Sequence, residues 1–345
     1  MIFLCLTAAL LLPQSDEAQR LFDSGVQKMK NGHLDAAIAD FTKVIELRPM
    51  HVEAYLERGL AKHKRGLLDE AIRDFCRAIE LDPKNIMAYY RRASSKGGKR
   101  DVEGAIADYT LCIRLDPKNS VYFNARGNWR LREGDLDGAL ADHNQCLTLE
   151  PKSATAYYCR ARVRRERRDF AEALTDINQA IKLNPKEPYH FVFRAYLSFD
   201  RQAWKEALAD FKTACEEPSV SPPRAHFGAW LARSRLGEGA AATTELSAYV
   251  TGLKEPHPWT KNIGNFLLGE MSEEHFLSFV DADNPDVAGD RKGEAYFYAG
   301  FKRLLAGETE AASALLQKAA ADGERGYFER MSAEIEVDRL KKRAK

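Results

Sequence analysis

The chain has 345 residues, 45% hydrophobic and 30% charged, and its 52 basic side chains nearly balance 51 acidic ones. This balance argues against nucleic acid as the main ligand, because nucleic-acid-binding proteins concentrate positive charge. Residues 2–12 form an apolar run that is too short to cross a membrane and suits the core of a signal peptide. We therefore expect residues 1–15 to be a signal peptide, no transmembrane span, and export to the periplasm or cell envelope. Without that signal the protein would be cytoplasmic.

Residues 16–219 contain six consecutive copies of one residue pattern, all of the same length. Each copy has two blocks of apolar residues at helical spacing, which predicts two antiparallel helices. Small residues recur in the first helix at Gly25, Gly59, Ala93, Gly127, Ala161 and Ala195, and in the second at Ala37, Ala71, Ala105, Ala139, Ala173 and Ala207. Small residues let two helices approach closely, and we expect a bulky first-helix residue such as Tyr55 to fill the space beside them.

The period and residue spacing of these copies resemble the tetratricopeptide repeat. One helix pair cannot bury its own apolar face, so neighbouring pairs stack. The predicted fold is all-α, a right-handed tetratricopeptide-repeat solenoid of stacked antiparallel helix pairs with a C-terminal capping helix.

Charged residues also recur in phase. We expect each aspartate of the second helices to pair with the arginine of the following copy, because the first copy has Ser24 in place of that arginine. The predicted pairs are Asp40 with Arg58, Asp74 with Arg92, Asp108 with Arg126, Asp142 with Arg160, and Asp176 with Arg194. Two clusters of basic residues form either a solvated face or a surface that steers an acidic partner. The fifth copy has Arg160, Arg162, Arg164, Arg165, Arg167 and Arg168, and the third copy has Arg91, Lys96, Lys99 and Arg100.

After residue 219 the pattern weakens. We predict a degenerate helical hairpin at 220–258, a non-repeat helical connector and loop at 259–292, and a final repeat-like unit plus a capping helix with a charged outer side at 293–345. The stretches around Pro258-Trp259 and Glu294-Ala295-Tyr296 resemble the C-terminal part of bacterial envelope proteins of the NlpI lipoprotein type. This resemblance implies a bacterial, envelope-facing adaptor.

Motifs that carry chemistry do not occur in the sequence. There is no His-Glu-x-x-His metal motif and no Gly-x-Ser-x-Gly nucleophile motif. The pair Gly237 and Gly239 follows a predicted helix and lacks the third glycine of a phosphate-binding loop. We therefore predict no enzyme activity, no cofactor and no metal site.

The repeat family implies a concave groove lined by the first helices, which binds a segment of a partner protein. The predicted groove residues are Met87, Tyr90, Asn124, Asn128, Tyr158, Arg162, Tyr189 and Tyr196. The partner is a protein or peptide that the sequence does not identify, and the same tyrosines would serve equally as padding of the inner wall. There are two alternatives. The first is a self-assembling scaffold, in which copies of the chain form a homo-oligomer through the array ends or the Trp259 region. The second is a regulatory subunit or enzyme with its site in residues 255–290.

Overall fold

The computed structural model describes residues 2–216, 221–254, 257–281, 289–323, 325 and 327–343, without the side chains of 2–15, 281, 289 and 290. These residues form nineteen α-helices and no strand. The chain divides into two compact units, Met1–Arg130 (unit one) and Leu131–Lys345 (unit two). The side chains of the predicted signal peptide, residues 1–15, are not among those described.

The first ten helices are α1 (Ile2–Lys30), α2 (Leu34–Leu47), α3 (Val52–Lys64), α4 (Leu68–Leu81), α5 (Ile86–Gly98), α6 (Val102–Leu115), α7 (Ser120–Glu133), α8 (Leu136–Leu149), α9 (Ala154–Glu166) and α10 (Phe170–Leu183). The other nine are α11 (Pro188–Asp200), α12 (Trp204–Ala214), α13 (Pro223–Arg235), α14 (Gly239–Gly252), α15 (Pro258–Leu268), α16 (Glu273–Asp281), α17 (Gly289–Leu305), α18 (Thr309–Asp322) and α19 (Phe328–Arg343). We number the helix pairs in chain order, so that hairpin two is α3 with α4 and hairpin six is α11 with α12.

The turn between the two helices of a pair has a recurring backbone conformation. A residue with positive φ stands there, usually glycine, because a residue without a side chain adopts this conformation at no steric cost. Examples are Gly66 at φ 82° and, where glycine is absent, Gln202 at φ 61°. The same turn follows α13, α15 and α17, at Gly237, Gly269 and Gly307. Residues 259–292, predicted as a non-repeat connector, thus contain most of a further hairpin, α15 packed against α16.

Within a hairpin, the small residue of the first helix packs against an aromatic residue of the second. A Cβ atom added to Gly59 would lie 2.6 Å from the Phe75 ring, and one added to Gly25 would lie 2.8 Å from the Phe41 ring. Both rings are fully buried. The ring against Gly59 is thus Phe75. Tyr55 lies in the same buried cluster as Ala71 and Phe75, and its hydroxyl donates a hydrogen bond to the Pro49 carbonyl at 3.2 Å.

The predicted pairing of aspartates with the arginines of the next copy is also wrong. The arginine pairs with the aspartate of its own hairpin, as Arg58 does with Asp74 at 2.6 and 2.9 Å. The two residues are equally far from the turn residue Gly66 along the chain, so antiparallel helices place them opposite each other. The same geometry recurs for Arg92 with Asp108, Arg160 with Asp176 and Arg194 with Asp210. In the first hairpin Ser24 and Lys28 bind Asp40 instead, at 2.7 and 2.6 Å.

These arginines do connect consecutive hairpins, through a different residue. The Nη1 atom of the guanidinium group donates to a polar side chain on the second helix of the preceding hairpin. The bonds are Arg58 to Thr42, Arg92 to Cys76, Arg126 to Thr110, Arg160 to Asn144 and Arg194 to Asn178. Arg58, Arg92, Arg160 and Arg194 thus each tie their own helix pair together and link it to the pair before it.

Candidate functional site

The candidate site in unit one is a wall formed by first helices. Helix α3 contacts α1 and α5, and Arg91 of α5 donates to the Leu56 carbonyl and the Glu57 carboxylate of α3. Tyr90 of α5 packs 5.8 Å from the ring of Tyr122 on α7. We call the face that carries these contacts the inner wall.

Two large apolar side chains of the inner wall are open to solvent. Met87 is 46% exposed and Val121 is 50% exposed, and they occupy the same position in consecutive repeats. Tyr90 is half-buried beside them and also packs on the buried Tyr109, with ring centroids 5.6 Å apart. The wall therefore offers an apolar strip with aromatic support.

The two predicted groove amides, Asn124 and Asn128, are both half-buried on α7. The Oδ1 atom of Asn124 is buried and accepts no hydrogen bond from any described residue. The prediction that the two amides bracket a peptide backbone stays a prediction.

The predicted groove residues of unit two differ in accessibility. Tyr189 is 44% exposed. Tyr158 is half-buried and packs on His190 and Phe193, with ring centroids 5.5 Å apart in both pairs. Arg162 lies over the Tyr158 ring at 5.8 Å.

Tyr196 is not open to a partner in this structure. It is fully buried, because the Phe328 ring at the start of α19 stacks on it at 4.7 Å with an angle of 4° between the planes. Phe328 also packs against Phe193, with ring centroids 5.9 Å apart, and the Arg165 guanidinium lies 5.9 Å from the centre of the Phe328 ring. The first helices of hairpins five and six therefore hold the chain's own C-terminal helix where the sequence predicted a groove for a partner.

The charged side chains of α19 are not confined to an outer side. Lys341, Lys342 and Arg343 are exposed, as a charged outer side requires, but Glu329, Arg330 and Glu336 are buried. Each meets a residue of an earlier helix, and the contacts are Glu329 with Arg224 at 3.0 Å, Glu336 with Arg235 at 3.3 Å, and Arg330 with Glu166. Buried charges of opposite sign set the register of docked helices more than they add stability. The sequence signal for this role is that charged residues occur on every face of α19.

A buried ion pair between α9 and α11 also binds α19 near its start. Arg165, 2% exposed, binds the Asp200 carboxylate at 2.7 Å and the Ser332 hydroxyl at 2.8 Å. Ser332 in turn donates to Asp200. These three residues join α9, α11 and α19.

The arginines at the end of α9 and in the turn that follows it use most of their charge within the chain. Arg164 binds Asp176 at 2.7 Å, Arg167 binds Asp137 at 2.6 Å, and Arg168 binds Glu334 and Asp338 of α19. Ion pairs neutralise most of the field that would steer an acidic partner. The contacts therefore favour a structural role for these arginines.

The Trp259 region, proposed from sequence as an oligomerisation surface, is engaged inside unit two. The Trp259 indole donates to Glu294 at 2.7 Å, and its ring stacks on Phe276 at 5.5 Å. Arg224 also binds Glu294. Burial raises the pKa of Glu294. Residues 255, 256 and 282–288 of the predicted alternative site lie outside the described residues.

One buried histidine stands out among the described titratable groups. His143 of α8 is fully buried, and neither ring nitrogen has a hydrogen-bond partner in the described part of the chain. Burial lowers the pKa of His143 to about 3, so the ring is neutral at pH 7. It occupies the position that Phe41 and Phe75 hold in the first two repeats and acts as an aromatic core residue.

No group of three or more metal-ligating side chains occurs among the described residues. None of the described helices is apolar over a length that would cross a bilayer.

Comparisons with known proteins agree with this architecture. A family model described as tetratricopeptide repeat matches residues 22–86 and 158–222, and a second model of the same description matches residues 88–119. No curated protein matches the chain in sequence. The similarity to NlpI-type proteins stays a prediction.

Among solved structures, a tetratricopeptide repeat protein from Parabacteroides merdae is similar, with a TM-score of 0.60, 19% identity, and coverage of 74% of this chain and 98% of that one. The Pseudomonas aeruginosa protein pilF matches with a TM-score of 0.49 and 19% identity over 64% of this chain and 95% of its own. The Thermus thermophilus protein TTC0263 matches with a TM-score of 0.42 and 22% identity over 53% of this chain and 99% of its own. The family models show that the chain contains tetratricopeptide repeats at residues 22–86, 88–119 and 158–222, and the first of these structures shows the same fold over 74% of the chain.

Proposed function

We propose that the protein is a noncatalytic adaptor that holds a segment of a partner protein on the inner wall of unit one. The observation that carries this proposal is the exposure of Met87 and Val121 in register on adjacent first helices. Large apolar side chains lined up on an open face are typical of surfaces that a partner covers.

The chemistry of the inner wall supports an apolar or aromatic partner segment. Tyr90 and Tyr122 supply rigid rings beside Met87 and Val121, and tyrosine provides contact area at a low cost in side-chain entropy. Covering one large apolar side chain stabilises a complex by about 1.5 kcal/mol, which corresponds to roughly a tenfold change in affinity.

The test uses peptides selected on the wild-type protein from an unbiased display library, with affinities then measured by fluorescence anisotropy. We expect Met87→Glu and Val121→Glu each to weaken binding about tenfold. Leu115→Glu is the matched control, because Leu115 is 40% exposed and lies at the end of a second helix, α6, whereas the inner wall is formed by first helices. Unchanged affinity in both wall variants, or an equal loss in the control, would contradict the proposal.

The competing scaffold hypothesis predicts a different outcome for the same variants. If copies of this chain are joined through the array ends or the Trp259 region and the groove is idle, light scattering would give the mass of an oligomer for the wild-type chain and for Met87→Glu alike, and Met87→Glu would not weaken peptide binding. An unchanged molar mass with weakened peptide binding supports the adaptor.

A further inference from the structure

Two buried glutamates of unit two share a single arginine. Arg224 of α13 donates from Nε to Glu329 of α19 at 3.0 Å and from Nη2 to Glu294 of α17. In the repeats this edge of the guanidinium group binds one carboxylate, as in Arg160, whose Nε and Nη2 atoms donate to the two oxygens of Asp176. At Arg224 one oxygen from each of two carboxylates takes those two places. The two carboxylates are therefore direct neighbours.

Burial keeps water from compensating this surplus of negative charge. The side chains of Glu329 and Glu294 are 2% and 11% exposed. The other titratable side chains beside this set are the tyrosines Tyr158 of α9, Tyr196 of α11, Tyr298 of α17 and Tyr327. A tyrosine hydroxyl is uncharged at neutral pH. Among the described residues, two carboxylates thus face one cation.

The hydrogen bonds of the pair leave one carboxylate oxygen without a donor. Glu294 Oε2 accepts from the Trp259 indole of α15 at 2.7 Å. Glu329 Oε2 is buried and accepts no hydrogen bond from any described residue. A buried charge without full hydrogen bonding is costly, and one proton on the pair removes the surplus charge.

Electrostatics of the pair agree with this geometry. Burial raises the pKa of Glu294, and the neighbouring Glu329 carboxylate adds to the rise against the lowering effect of Arg224. Two carboxylates this close titrate as a pair, so the proton belongs to both.

The pair lies where α19 attaches to α13 and α17. Glu329 follows Phe328, the residue that covers Tyr196, and Glu329 Oε1 lies 3.5 Å from the Tyr196 hydroxyl. The charge of the pair therefore acts on the first turn of α19, which closes the predicted groove of unit two.

We propose that Glu294 and Glu329 share one proton at mildly acidic pH, and that loss of this proton as the pH rises loosens the first turn of α19 and uncovers Tyr196. The fully ionised pair places two like charges on one arginine, and opening of the turn returns Glu329 to water. This pH-dependent attachment lies in unit two and does not depend on the adaptor function of the inner wall.

Amide hydrogen exchange of residues 328–336, followed by mass spectrometry from pH 5 to pH 9, tests the proposal. The exchange rates are divided by the intrinsic rate at each pH to give the opening constant of this segment. Because the pKa of the folded pair is raised, its proton stabilises the attached turn fully below the ordinary value of 4.5, and this stability is lost as the pH rises through the folded pKa. We expect the wild-type opening constant to rise with pH by up to about tenfold per unit.

Two variants of α19 assign the pH dependence. In Glu329→Gln the amide oxygen still accepts from Arg224 and the amide nitrogen replaces the shared proton, so the opening constant should vary little and be about tenfold below wild type at pH 9. Glu334→Gln is the matched control, because Glu334 binds two arginines, Arg168 and Arg330, each at 3.0 Å, and so has cations in surplus. It should loosen α19 at every pH and keep the wild-type slope.

Infrared difference spectra detect the proton itself in the wild-type chain. We expect the carbonyl stretch of a protonated carboxylic acid at pH 6, its loss at higher pH, and its absence at pH 6 in Glu329→Gln and Glu294→Gln. The proposal is overturned if the wild-type chain lacks this band at pH 6, if its opening constant does not change with pH, or if Glu329→Gln shows the same slope. The first two outcomes need no variant, so they decide the question even if the variants do not fold.

Discussion

Replacing Asp176 with alanine tests the energetic role of the arginine–aspartate pairs. Asp176 accepts two bonds from Arg160, at 2.7 and 2.8 Å, and one from Arg164 at 2.7 Å, and its side chain is 2% exposed. Removing one member of a buried ion pair costs about 3–5 kcal/mol, because the remaining charge is left without a partner. The two arginines keep about a fifth of their surface in water, so we expect a loss near the lower end, about 3 kcal/mol.

Asp137→Ala is the matched control for this experiment. Asp137 also binds an arginine, Arg167, at 2.6 Å, but its side chain is 91% exposed. Ion pairs in water contribute at most about 1 kcal/mol, because solvent and salt screen them. The two aspartates thus share their chemistry and differ in burial.

The assay is amide hydrogen exchange followed by mass spectrometry, which reports the free energy of local opening in a repeat protein whose global unfolding need not be two-state. A loss of about 3 kcal/mol corresponds to roughly 100-fold faster exchange in α9 and α10 of Asp176→Ala. We expect less than about a fivefold change in α8 of Asp137→Ala. Equal effects in the two variants would refute the conclusion that burial of the carboxylate makes these pairs structural.

Two further predictions concern packing and pH. Gly59→Ala should lower stability by about 1–3 kcal/mol in thermal melting, because its Cβ would lie 2.6 Å from the Phe75 ring, whereas Gly239→Ala, with no atom within 4 Å, should stabilise by about 0.5 kcal/mol. The pKa of His143, about 3 instead of 6.5, means that its neutral form stabilises the fold fully above pH 6.5 and that this stability is lost as the pH falls towards 3. His143→Phe should therefore raise the melting temperature more at pH 4 than at pH 7, and an equal gain at both would contradict the assignment.

Much of the repeat architecture could be predicted because it depends on local periodicity. The two apolar blocks of the second copy correspond to α3 (Val52–Lys64) and α4 (Leu68–Leu81), and the turn glycine Gly66 has the positive φ that its position indicates. Helical spacing and turn residues act over a few neighbouring positions, so one sequence is enough to recognise them.

The partners of the recurring residues could not be predicted in the same way. Periodicity shows that Arg58 and Asp74 recur, but equal intervals fit pairing within a hairpin as well as pairing between hairpins. Antiparallel packing about the turn decided between them. The predicted groove included residues of both units, yet Tyr196 is covered by Phe328, which lies more than a hundred residues later in the chain.

The sequence by itself determined the all-α repeat fold, because each helix and turn is specified by residues close to it in the chain. Only the tertiary structure decided which part of the predicted groove is open, with Met87 exposed and Tyr196 buried under α19. It also decided where a cleft opens, between α12, α13 and α14 beside Trp230. Accessibility and cavities depend on contacts between residues far apart in sequence, and no local pattern encodes those contacts.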